Sequence, residues 1–273
     1  MRMADLSLPR FIGAAASALL ILASIGYGVV KGGHGPMIVG FLKDTRDAAA
    51  NAAGFHIAAV SLSGEKQVSR REIFAAAGVT DRASLLFLDV DDARARLKAI
   101  PWIADATVKK LYPDHLQITV SERDAFALWQ TGGKVSVISA DGTVAGPLID
   151  ARFAVLPLVV GAGAASRARE FLGQLDKYPA IRVQVRASVL VAERRWNLRL
   201  KNGIDVRLPE NDVPRALDTL AALDRDKQLL TRDVSAIDLR LPDRVSVRLS
   251  DEAAQAREDA LKDKKAKRKG GDA

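Results

Sequence analysis

The chain has 273 residues, 48% of them hydrophobic and 27% charged, with a formal net charge of +8 and no cysteine. That length suits two modest domains, each with its own core. The lack of thiols excludes a disulfide framework, a thiolate nucleophile and a cysteine-based metal centre. The basic residues are spread over predicted strands and loops rather than gathered on one helix face, which argues against a nucleic-acid footprint.

Residues 11–30 (FIGAAASALLILASIGYGVV) carry no charge and lie between Arg10 and Lys31. As a helix, a run of that length rises about 30 Å, the thickness of a bilayer's hydrocarbon core. It also exceeds the roughly 7 to 15 apolar residues of a cleaved signal. The expectation is one retained transmembrane helix, with residues 1–10 cytoplasmic and the remainder exported, since long domains translocate largely regardless of charge. Residues 31–54, Gly-rich and then Ala-rich, read as a juxtamembrane linker with an apolar patch at 37–42.

A first folded unit is expected over residues 55–123. Ser69 and Glu72 form an S-x-x-E capping box, and Gly78 is placed to end the helix that follows. Asp89 opens a second helix carrying Val90, Ala93 and Leu97, stopped by Pro101. Residues 57–62, 102–110 and 116–121 read as strands. The last alternates Leu116, Ile118 and Val120 with polar neighbours, and residues 112–115 make the turn before it. Trp102 is assigned to the sheet's core, and Glu122 with Arg123 to a solvated ion pair at the domain junction.

The run PWIADATVKKLYPDHLQITVSER, followed by Ala127 and Trp129, resembles the POTRA-domain signature of the FtsQ/DivIB family of bacterial cell-division proteins. Pro101, Trp102, Ala106, Val108, Pro113, Leu116, Ile118, Val120, Glu122 and Arg123 stand in register with it. The resemblance implies a β-α-α-β-β POTRA fold.

A second unit is expected over residues 124–250. Gly132-Gly133, Asp141-Gly142 and Asn202-Gly203 separate period-2 runs, the strongest short hairpin signals, and so predict an antiparallel β-meander. Two helices, residues 166–178 and 212–230, are expected to cover one face of it. Asp141-Gly142 and the run Ile237-Asp238-Leu239-Arg240 also resemble this family, whereas Ala125 and Ser139 depart from it. The fold class is therefore α+β.

No cofactor, metal site or catalytic set is expected. His34, His56 and His115 have no ligand spacing, no common catalytic motif occurs, and Asp89, Asp91 and Asp92 sit where a helix N-terminus favours negative charge. Residues 251–273, almost all charged, are expected to be a disordered tail.

These readings favour a non-enzymatic protein-binding role over a membrane-anchored cell-wall enzyme or a POTRA-type chaperone module. The resemblance implies an inner-membrane scaffold of the division septum whose periplasmic domains bind FtsB- and FtsL-type partners and other components of the division complex, with a role in controlling septal peptidoglycan synthesis. The physical counterpart is an edge strand formed by Arg240, Leu241, Val245, Ser246, Val247, Arg248 and Leu249, whose unpaired backbone groups can accept a partner's strand.

Overall fold

The computed structural model describes residues 35–269 except residue 149, together with scattered helical positions between residues 13 and 32. Most of the expected span, residues 11–30, thus lies outside the described residues. Among those described, no helix is long and apolar enough to cross a membrane. Two compact units divide the chain: residues up to Ile100 with Asp105–Ser121, and Pro101–Ala104 with residues from Glu122 onward.

The first unit opens with helix α1 (Gly35–Ala50), which occupies much of the expected linker. It ends in a wide turn over Asn51–Phe55, where Gly54 takes φ 95°. Strand β1 (Ala59–Ser63) and helices α2 (Arg70–Ala77) and α3 (Val90–Lys98) follow, then strands β2 (Ile103–Leu111) and β3 (His115–Glu122). The sheet order is β1-β3-β2, with β1 parallel to β3.

Both expected helix starts are present. Ser69 Oγ accepts from the Glu72 N–H at 3.2 Å, and the Asp89 carboxylate accepts from Asp91 and Asp92 N–H at 3.0 Å. Gly78, at φ 78°, ends α2 in the left-handed conformation that favours glycine. From α3, Arg96 Nε reaches the Ala76 carbonyl at 2.7 Å, putting a cation on the negative end of α2. Ile73, Leu97, Leu116 and Ile118 are fully buried and form the core.

The second unit is a nine-stranded sheet in the order β12-β11-β10-β9-β8-β7-β4-β5-β6. Its elements are β4 (Ala127–Thr131), β5 (Lys134–Ile138), β6 (Val144–Pro147), β7 (Leu158–Val160), α4 (Ala164–Leu175), α5 (Pro179–Arg182), β8 (Val185–Val191), β9 (Arg195–Leu200), β10 (Asp205–Arg207), α6 (Val213–Lys227), β11 (Val234–Asp238), β12 (Ser246–Leu249) and α7 (Asp251–Lys269).

The sheet is mixed, not the antiparallel meander expected. The pairs β4/β7, β7/β8 and β10/β11 run parallel. Parallel neighbours need a crossover: α4 and α5 connect β7 to β8, and α6 connects β10 to β11. Helices α4 and α6 pack into one core, in which Phe171 stacks on Trp196 with centroids 4.3 Å apart, among Leu172, Leu175, Leu217, Leu220 and Ile237.

Three further expectations are corrected. Trp102 belongs to the second unit, half-buried and stacked on Phe153 at 5.7 Å. Arg123 pairs with Asp141 at 2.7 Å, because the Asp-Gly turn brings that carboxylate within reach. Residues 251–269 are helical, not disordered: Ser250 Oγ accepts from the Ala253 N–H at 3.2 Å, and Asp251 and Glu252 complement the positive end of α7.

Candidate protein-docking edge

Strand β12 lies at one end of the sheet and pairs antiparallel with β11, Ile237 opposite Val247 and Asp238 opposite Ser246. No described residue pairs with its outer side. A bulge at Ser235 offsets the register, and the Ser235 hydroxyl donates to the Leu249 carbonyl at 3.0 Å. This extra bond fastens the far end of β12 where the ladder is interrupted.

Opposite residues in an antiparallel pair project from the same face. Ile237 is fully buried, yet Val247 is 42% exposed. Ile237 has a strand on either side, whereas Val247 has a neighbour on one side only. Val245 and Leu249 pack against the core, so β12 is held in place while Val247 stays uncovered.

Arg240, Leu241 and Val245 belong not to the strand but to the loop between β11 and β12. Arg240 Nε lies 2.8 Å from Asp238 Oδ1 and its Nη2 lies 2.5 Å from Oδ2, a two-pronged grip on the last residue of β11. Arg207 Nη1 stands 3.7 Å from the same carboxylate. Hydrogen bonding from Arg240 holds the Asp238 carboxyl below the usual carboxylate range, against its partial burial. Arg207, Arg240 and Arg248 thus gather positive charge at this end of the sheet.

Beside the loop runs a groove of about 610 Å³, lined by Leu241, Pro242 and Val245 on one wall and by Arg215, Ala216 and Thr219 of α6 on the other. Sequence reasoning missed it, because α6 and this loop are brought together only by the β10/β11 crossover. Leu241, an apolar side chain that is 47% exposed between Arg240 and Pro242, was the available signal.

The remaining polar candidates have structural positions. His115 Nε2 lies 3.0 Å from Ser61 Oγ, the backbone of His56 forms an isolated antiparallel bridge with that of Ser84, and His34 lies outside the described residues. Asp141 accepts from Ser139 Oγ at 2.5 Å and from the Thr143 N–H at 3.0 Å, which, with Arg123 beside it, holds its carboxyl well below the ordinary range. Burial, with the Asp218 carboxylate 2.7 Å away, pushes the Tyr178 phenol up to about 12 and ties the turn after α4 to α6. Among the described residues, no three His, Cys, Asp or Glu side chains gather as a metal site.

Comparison with known proteins follows the same division. Residues 55–123 match the model for the POTRA domain, FtsQ-type, and residues 127–240 match that for cell division protein FtsQ/DivIB, C-terminal. Cell division protein FtsQ of Bradyrhizobium diazoefficiens is 54% identical over 266 residues, covering 97% of this chain and 78% of that protein. The FtsQ proteins of Agrobacterium fabrum and Rhizobium meliloti are 43% and 41% identical, covering 90% and 92% of this chain and 75% and 79% of their own lengths. With both units matched by the family's own models and nearly the whole chain aligned to its members, the protein belongs to the FtsQ/DivIB family of cell division proteins.

Proposed function

We propose that the chain is a non-enzymatic scaffold of the division complex, crossing the inner membrane once through residues 11–30 with its N-terminus cytoplasmic. The POTRA unit and the β-sheet unit stand on the periplasmic side at the septum. An FtsB-type partner, with FtsL, adds a strand along β12. Main-chain hydrogen bonds supply affinity, and the apolar and arginine side chains of the edge choose the partner.

The observation that carries this reading is the contrast between Val247 and its fully buried partner Ile237. A further strand on the outer side of β12 would cover Val247 and satisfy the edge's backbone groups. Arg248 and Arg240 favour acidic side chains on that strand.

The test is capture of an FtsB-type protein by the full-length chain. Val247→Glu places a charge that an added strand would bury. Because Val247 is already exposed, folding should change by less than about 0.5 kcal/mol. Partner affinity should fall by more than about 2 kcal/mol, roughly 30-fold in Kd. Unchanged capture by this variant, and by a chain ending at residue 243, would place docking elsewhere.

A further inference from the structure

Helix α1 has two unlike ends. Its C-terminal half is fastened to the POTRA unit. Ser84 Oγ lies 3.4 Å from Asp47 Oδ1, Asn51 Nδ2 donates to the Arg82 carbonyl at 3.1 Å, and the Arg46 guanidinium stands 4.1 Å from the centre of the Phe87 ring. Ala50 is only 6% exposed. Among the described residues the N-terminal half has no such cover: Met37 is 71%, Phe41 70% and Leu42 60% exposed.

The helix also has two unlike sides along its length. At 3.6 residues per turn, Met37, Phe41, Leu42, Thr45, Ala48 and Ala49 fall on one side of the helix. Lys43, Asp44, Arg46, Asp47 and Ala50 fall on the other, the side that meets the unit. The outer side carries no charged residue from Met37 to the end of α1. A helix with one charged, docked side and one uncharged, exposed side is suited to an apolar medium against the latter.

We propose that this outer face of α1 lies in the lipid interface on the periplasmic side of the membrane, holding the POTRA unit at a fixed aspect to the bilayer. The inference rests on the single-span reading of residues 11–30. Gly35 follows Val30 by five residues, a reach of at most about 18 Å, so the apolar turns of α1 begin beside the membrane surface. The 37–42 patch is too short to span a bilayer but suits an interfacial helix whose apolar side sinks about 5 to 10 Å. Exposed Lys31, just ahead of α1, is placed to meet anionic headgroups.

The chain has no cysteine, so single-cysteine labelling of the full-length protein is unambiguous. Leu42→Cys and Lys43→Cys would each carry an environment-sensitive fluorophore in vesicles of phosphatidylethanolamine and phosphatidylglycerol. The expected result is blue-shifted emission at position 42, quenched by lipids spin-labelled near the headgroup and shielded from iodide, with a wet probe at position 43. Adding Met37→Asp and Phe41→Asp should return the position 42 probe to water. A position 42 probe as open to iodide as that at 43, in a chain that resists carbonate extraction, overturns the interfacial placement and leaves the span intact. A position 42 probe buried only after a partner protein is added also overturns it, in favour of a protein contact. A chain stripped by carbonate defeats the span reading, and the interfacial placement with it.

Discussion

Asp238 shows how one carboxylate can prepare a surface without touching a partner. It grips Arg240 through both oxygens while Arg207 stands near, so the guanidinium at the start of the β11–β12 loop has a fixed direction. Both side chains are partly exposed, and such a pair is worth only about 0 to 1 kcal/mol of stability. The folded pKa of Asp238 is depressed, so that contribution is present above its unfolded pKa of about 3.9 and lost as pH falls through the folded value. Asp238→Asn should therefore leave neutral-pH stability nearly unchanged, flatten the acid side of the stability profile and weaken partner capture by letting Arg240 swing. A melting profile from pH 2 to 7, with capture measured at pH 7, checks both. A large loss of neutral stability would contradict the small energetic role assigned to the pair.

At the scale of elements, what was legible in the sequence was what is decided locally. Ser69 and Asp89 cap their helices because a side-chain oxygen needs only the next turn's N–H groups. The paired turn residues Gly132-Gly133 and Asp141-Gly142 announced their hairpins because only certain residues accept positive φ. The parallel pairs were not legible. Strand β7 is three residues long with no alternation, and its place between β4 and β8 depends on where α4 and α5 return the chain. Trp102 misled for the same reason, since its partner Phe153 lies 51 positions downstream in sequence. The candidate edge was foreseen in its strand residues, but its groove and the Asp238 grip arise from tertiary placement. The Asp-Gly turn joins the two kinds of information. At φ 83°, Gly142 also lies where a Cβ would meet the Ala165 carbonyl oxygen at 2.8 Å and Ser166 Cα at 2.9 Å, both backbone atoms at the start of α4. Gly142→Ala should cost more than the roughly 1 to 2 kcal/mol of the left-handed backbone alone, because neither neighbour can rotate away. Chemical denaturation should show that loss in the β-sheet unit, whereas a change below about 1 kcal/mol would mean the turn and α4 can separate.

Over the whole molecule, the two units have cores built from different residues. Ile73, Leu97, Leu116 and Ile118 serve the POTRA unit, and the Phe171–Trp196 stack with its leucine neighbours serves the nine-stranded sheet. The candidate edge belongs to the second core alone, since Val245 and Leu249 pack into it and β12 has β11 as its neighbour. Truncations at the two centres should therefore separate stability from docking. Leu97→Ala removes a fully buried side chain and should cost about 2 to 5 kcal/mol, and Phe171→Ala about 3 to 5 kcal/mol. Calorimetry of the full-length chain should then show Leu97→Ala lowering the melting of the POTRA unit, and Phe171→Ala that of the sheet. An FtsB-type partner present during the scan should raise the sheet's transition by mass action in the unaltered chain and in Leu97→Ala. It should do so only weakly in Phe171→Ala, where β12 loses part of the core that holds it. If the partner instead raised the POTRA transition and left the sheet unmoved, the docking surface would lie on the first unit. The exposure of Val247 would then need another cause.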